Sequence, residues 1–268
     1  MHIFLIVLSI IALYPLFIEF TGSFKFPHDL AANPAGLPQV WTLSNYRRLG
    51  SYNGGIIIRT YFNSLFVTVC HVSILLLFST MAAFAFSKYR FKGRNVIFLA
   101  LLATMMIPSE LLITPLFVLF AKINWLNTYQ VQIFPFTANV FSLFMLRQYM
   151  SSVPDSVLDA ARIDGAGHLK VYWSIMIPLC SPVIGALTIL NGLHKFNDYM
   201  WPKIMVTKLY LQPIMVVLPT LNEENNIWSI PRELVLTGCA IVTIPLIILF
   251  ICFQSKFMSS VTLGAVKE

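Results

Sequence analysis

Long apolar runs alternate along this chain with shorter polar ones. The runs His2–Phe20, Tyr61–Phe86, Asn95–Phe120, Tyr129–Met150, Ile175–Phe196 and Glu233–Phe253 each approach or exceed the length of roughly 20 residues that a helix needs to cross a bilayer. The pattern predicts an all-α integral membrane protein with six transmembrane helices, one transmembrane domain over residues 1–268. The first run has neither a basic segment before it nor an A-x-A cleavage site, so it reads as a retained helix rather than a signal peptide. Pro108 and Pro115 are expected to kink the third helix. Thr21–Thr60 is turn-rich, with Asn33-Pro34, Ala35-Gly36 and Asn53-Gly54-Gly55, and reads as a long loop outside the bilayer. Trp41 and Tyr46 suit its interface with the membrane. Asn197–Arg232 is irregular, and Gln254–Glu268 is a tail.

The polar island Val153–Pro178, between the fourth and fifth helices, breaks this rhythm most strongly. Pro154 can open a helix, and Asp155 and Ser156 then lie favourably near its positive end. Ala160 and Ala161 are small enough for another backbone to approach. Gly165 breaks or sharply bends the helix, and Ala166–Trp173 can form a second short one with Leu169, Tyr172 and Trp173 on one face. A bent helical pair of this kind, exposed and partly aromatic, reads as a docking element.

Composition strengthens the membrane reading. Hydrophobic residues make up 57% of the chain and charged ones only 11%, against about 25% charged in a soluble domain. The net charge of +7 reflects topology and anionic lipid rather than nucleic acid, because no basic run is long or interleaved with stacking aromatics. Lys88, Arg90, Lys92 and Arg94 are crowded into one short loop without an acid. By the positive-inside rule this loop, the island and both termini face the cytoplasm. Cys70, Cys180, Cys239 and Cys252 form no CxxC or other ligand spacing, and the five histidines are scattered, so neither a disulfide framework nor a metal is expected.

No G-x-x-x-x-G-K-[ST] cradle for ATP phosphates occurs, so no cofactor is expected on this chain. Catalytic groupings are also missing, which argues against an enzyme. Glu110 is the one clear ionisable residue within a span, and it fits either a pathway role or a structural pairing. Asn139 and Asn191 fit either helix–helix hydrogen bonding or solute contact. Asn197 and Asp198, beside Phe196 and Trp201, fit an outer helix end, or contact with solute or with an external binding protein. Glu223–Asn226 fits an exposed loop or a reach toward such a protein. A pathway subunit driven by something else remains; the alternatives are an ion-coupled secondary transporter and a non-transporting scaffold.

The island resembles the cytoplasmic loop of ABC importer permeases: E-A-A, three residues, G, nine residues, I-x-L-P. Here it reads Asp159-Ala160-Ala161, three residues, Gly165, nine residues, Ile175-Met176-Ile177-Pro178, with Asp for Glu and Ile for Leu. Ile163-Asp164-Gly165-Ala166 is similar to the carbohydrate branch, in particular the maltose-type small permease; amino-acid, peptide or oxyanion importers are the alternatives. Asn45-Tyr46-Arg47, Asn63-Ser64-Leu65, Ala82–Phe86, Phe91–Arg94, Phe196-Asn197-Asp198 with Trp201-Pro202, and Gly264–Lys267 extend the resemblance over nearly the whole chain. It implies the type I importer permease fold, with a cytoplasmic coupling helix in which Asp159, Ala160, Ala161, Asp164, Gly165, Ala166 and Leu169 engage an ATPase. It also implies a second, homologous permease, two cytoplasmic ATP-binding subunits, an extracytoplasmic solute-binding protein, a sugar cargo and a place in the bacterial inner membrane.

Overall fold

The computed structural model describes residues 2–221 and 230–265; the loop Glu223–Asn226 lies outside the described residues. Every regular element among them is helical. In chain order these are α1 (His2–Ser23), α2 (Pro27–Ala32), α3 (Ser44–Ser51), α4 (Ile56–Lys88), α5 (Arg94–Thr104), α6 (Ile113–Lys122), α7 (Gln130–Ile133), α8 (Val140–Ser152), α9 (Asp155–Ile163), α10 (His168–Val171), α11 (Ile177–Leu179), α12 (Ser181–Phe196), α13 (Met200–Met205), α14 (Ile214–Val217) and α15 (Arg232–Ala265).

Three continuous stretches among the described residues are long and apolar enough to cross a bilayer: His2–Ser23, Ser44–Lys88 and Arg232–Gln254. Two more qualify as bent pairs, α5 with Ser109–Lys122 at 89° and His168–Leu179 with α12 at 74°. Hydrocarbon offers no water to an unpaired backbone group, so each break needs a local cause. At the first, Pro108 takes an extended ψ of 132° and cannot donate, while the N–H groups of Met105, Met106 and Ile107 tighten onto carbonyls three residues back. Pro115 causes no break, because it falls in the first turn of α6, where its missing N–H costs little. At the second, Pro178 and Pro182 remove two donors around Cys180, next to a π-helical turn at Tyr172–Met176. The expected fourth helix is also interrupted: residues 134–139 are not helical, and α8 runs for 13 residues. α15 instead continues through the expected tail to Ala265.

The chain forms two compact units, Met1–Leu65 with Val206–Ile248 and Phe66–Met205 with Leu249–Glu268. In the first, α1 is exposed from His2 to Pro15, as suits a lipid-facing helix. The expected loop Thr21–Thr60 folds into a cap held by buried polar groups. Asn45, 1% exposed, donates from Nδ2 to the Ser23 and Lys25 carbonyls at 3.0 and 2.7 Å. Lys25 is fully buried and donates to the Asn33 carbonyl at 2.5 Å. Asn63 and Ser64 serve the irregular stretch before α14: Asn63 donates to the Tyr210 and Gln212 carbonyls, and Ser64 Oγ accepts the Ile214 N–H.

In the second unit α8 is central. Leu143, Leu146 and Met150 pack with Ala83 and Phe84 of α4, Phe98 of α5, Leu158 and Ala161 of α9, and Val183 and Leu187 of α12. Tyr172 is buried in this core, its ring against Phe84 and its hydroxyl 2.7 Å from Thr80 Oγ1. It therefore does not share the exposed face of Leu169 and Trp173: the hydroxyl finds its partner inward, at the start of the π-helical turn.

Replacing Asn45 by Ala takes the side-chain donor from the Lys25 carbonyl and leaves the Ser23 carbonyl with the Thr237 hydroxyl at 3.3 Å, and a buried group left unpaired costs about 1–3 kcal/mol. Asn45→Ala is expected to lower the thermal unfolding midpoint of the detergent-purified protein, whereas the exposed Val40→Ala leaves it unchanged.

Candidate functional site

Two features of the second unit concentrate polar chemistry: the connection between α8 and α12, and a cavity at the other end of those two helices.

The connection is a built turn. α9 turns Leu158 and Ala161, three residues apart, into the core and leaves Asp159, Ala160 and Ile163 exposed. Gly165 closes the helix with a φ of +80°, the left-handed region that favours glycine. The Ala166 N–H then reaches the Ala161 carbonyl at 2.9 Å, the long bond of a Schellman end. Two residues at the C-terminal end of α4, Lys88 and the adjoining Tyr89, pin both short helices. Lys88 Nζ donates to the Val153 carbonyl at 2.6 Å and to Asp155 Oδ1 at 2.7 Å, at the start of α9. The Tyr89 hydroxyl lies 2.8 Å from His168 Nδ1, at the start of α10. The outward surface combines acids with apolar groups: Asp159 and Asp164 are exposed, as are Ile163 (86%), Leu169 (72%) and Trp173 (54%).

The cavity, of ≈ 370 Å³, is bounded by the break after α5, the start of α8, the end of α12 and the start of α13. Glu110 lies on its wall, exposed, with the Ser109 hydroxyl 3.1 Å from its Oε1. Asn139 caps α8 by accepting the Ser142 N–H at 2.8 Å on Oδ1. Asp198 accepts from Lys195 Nζ at 3.0 Å and caps the turn into α13 through the Trp201 N–H. His71 of α4 and His194 of α12 complete the polar wall. His71 Nδ1 is 2.7 Å from the Ile133 carbonyl, so that nitrogen carries the proton. Phe136 supplies an aromatic face and packs edge-on against Trp201, 5.0 Å between ring centres. Its φ of +65° is left-handed, a cost of about 1–2 kcal/mol for a residue of this size. Trp201 Nε1 holds the Val131 carbonyl at 2.7 Å, bracing the interrupted stretch from behind.

The structure thus gathers Glu110, Asn139 and Asp198 around one cavity. Asn191 lies elsewhere: its Nδ2 donates to Ser142 Oγ at 3.2 Å and joins α12 to α8. Asn197 is exposed at the C-terminal end of α12. In the connection, Asp159, Ala160, Asp164, Gly165 and Leu169 are outward, while Ala161 is buried and Ala166 is half-buried against the core. The spacing of Leu158 and Ala161 could have predicted which alanine faces inward. Nothing local in the sequence marks His71, His194, Lys195 or Phe136 as cavity residues.

The family described as binding-protein-dependent transport system inner membrane component matches residues 75–262. The arabinooligosaccharides transport system permease protein AraQ of Bacillus subtilis is 34% identical, covering 99% of this chain and 94% of its own length. The maltodextrin transport system permease protein MdxG of Bacillus subtilis is 28% identical over 99% of this chain and 95% of its own. Among solved structures, one chain of a bacterial ABC transporter involved in the import of the acidic polysaccharide alginate superposes with a TM-score of 0.81 at 27% identity, covering 96% of this chain and 94% of that one. With the match spanning the α8–α12 connection and every cavity residue named above but His71, this chain belongs to the family of binding-protein-dependent transport system inner membrane components.

Proposed function

We propose that this chain is one permease subunit of an ATP-driven importer of sugars or oligosaccharides. It forms half of the translocation pathway and takes its power through the connection around Asp159–Ala166. The observation that carries this reading is the Schellman-closed α9 with its exposed acidic and apolar surface, within a chain that matches sugar permeases over nearly its full length. In this reading the interrupted α7–α8 stretch makes the sixth crossing, both termini face the cytoplasm, and ATP is bound by two partner subunits. A second, homologous permease completes the pathway, and an extracytoplasmic solute-binding protein delivers the cargo.

The geometry suggests how power reaches cargo. α8 and α12 both start or end beside the connection and both reach the cavity. Asn191 and Ser142 tie them together near the cavity end. Displacement of α9 by the ATPase would therefore be carried by two linked helices to the walls that hold Asn139 and Asp198.

Gly165→Pro tests the turn. Proline fixes φ near −65°, incompatible with +80°, so α9 loses its closure. Uptake by the assembled importer is expected to fall at least tenfold while membrane insertion persists. Undiminished solute-stimulated ATP hydrolysis and uptake would overturn the coupling role. The chain alone should show no ATPase activity, and accumulation of solute by the chain alone in liposomes under an ion gradient would replace this reading with a secondary carrier.

Leu169→Asp tests the surface. Leu169 is 72% exposed, so folding should tolerate the change, yet co-purification of the ATP-binding subunits is expected to drop severalfold. Full retention of those subunits would exclude Leu169 from the interface.

A further inference from the structure

We infer that the cavity bounded by Glu110, Asn139, Asp198 and Phe136 is selective for an uncharged sugar and works against an acidic one. The inference rests on the permease reading and adds to it the class of cargo.

The charge balance of the wall carries the argument. Lys195 and Asp198 lie 3.0 Å apart and neutralise each other. Lys195 is 9% exposed, so this ammonium is committed to its partner rather than held out to a ligand. What remains is the Glu110 carboxylate, which has a neutral hydroxyl beside it and no cation in an ion pair with it among the described residues. Among the acidic and basic side chains of the wall other than the histidines, Glu110 is therefore the one without an ion-pair partner. A second carboxylate or a phosphate brought into this half-enclosed space would be repelled, and more strongly than in bulk water, because the local dielectric is lower.

The same wall suits hydroxyl groups. Glu110 accepts hydrogen bonds. His71 donates from Nδ1 to the Ile133 carbonyl, which leaves Nε2 of its neutral ring as an acceptor. Asn139 spends Oδ1 on capping α8, so its Nδ2 protons are available to donate. A sugar hydroxyl both donates and accepts, and can satisfy all three. The Phe136 ring, 40% exposed, adds an apolar surface against which the C–H face of a sugar can lie. Its left-handed backbone is a disfavoured conformation held in place by the surrounding chain, as strained residues at ligand sites often are. The solved relative handles an acidic polysaccharide; likeness of fold does not carry that preference to this wall.

The test uses the complete importer in cells, with its own solute-binding protein kept constant, so that any change in preference comes from this chain. Uptake of a labelled neutral oligosaccharide is compared with uptake of an oligosaccharide of equal length containing a uronic acid, for the native chain, Glu110→Gln and Glu110→Lys. The native importer is expected to favour the neutral cargo. Glu110→Gln should narrow the ratio by threefold or more, and Glu110→Lys by about tenfold. Should Glu110→Lys fail to assemble, judged by co-purification of the ATP-binding subunits, Glu110→Gln alone decides. An unchanged ratio in an assembled Glu110→Gln importer, or native preference for the acidic cargo, overturns the inference and leaves the permease reading intact. Failure of the native complex to take up either sugar at the expense of ATP overturns both.

Discussion

The obligation to pair every backbone N–H and C=O inside hydrocarbon governs this molecule. It makes helix the uniform solution, and it makes each interruption an expensive exception that something local must support. The interruptions are few and specific. The break after α5 is stabilised by turns that tighten three residues back before Pro108. The gap between α7 and α8 is closed by Asn139 capping α8 and by Trp201 holding the Val131 carbonyl. Both border the same cavity. Polar backbone and polar side chains are thus gathered around that cavity, while the third interruption, at Pro178 and Pro182, lies at the opposite end of α12.

The two units solve the problem of polar connections differently. In the first, a stretch of forty residues rich in turns folds on its own buried polar groups, with Asn45 and Lys25 serving carbonyls that no helix ladder reaches. In the second, the connection between α8 and α12 uses the opposite device. It spends hydrophobic contacts, Leu158 and Ala161, to anchor a helix whose other face stays open. Lys88 and Tyr89 then fix where the helix begins and where its companion starts. One of the four basic residues that read as a topology signal therefore does a second job: Lys88, its side chain almost wholly removed from solvent in the process.

Much of this was legible in the residues. The long apolar runs marked the crossings at α1, α4 and α15, because twenty apolar residues have few other fates. Gly165 was legible as a break, since a left-handed turn favours glycine. Pro108 announced a kink, though not its 89° angle, which depends on the packing of α6. Pro115 misled, because a proline is harmless in a first turn and the start of α6 could not be seen in advance. The gap at residues 134–139 was hidden by composition: Phe134, Pro135 and Phe136 sustain an apolar run that the backbone does not follow. Pairs distant in sequence, such as Lys88 with Asp155 or His71 with the Ile133 carbonyl, leave no local pattern at all. The candidate site was half visible for this reason: its acids and amides stood out as polar residues in apolar surroundings, whereas its histidines and its aromatic face were defined only by the fold.

The shortness of α8 has a mechanical meaning. Thirteen residues make a rod of roughly 20 Å, with no proline inside it. Such a rod does not store displacement by bending; it passes it on. Turned through about ten degrees at one end, a rod of that length sweeps its far end through roughly 3.5 Å. That distance is comparable with one hydrogen bond made or lost. At the wall of a cavity of ≈ 370 Å³, one such stroke is enough to move Asn139, the cap of α8, into or out of reach of a partner.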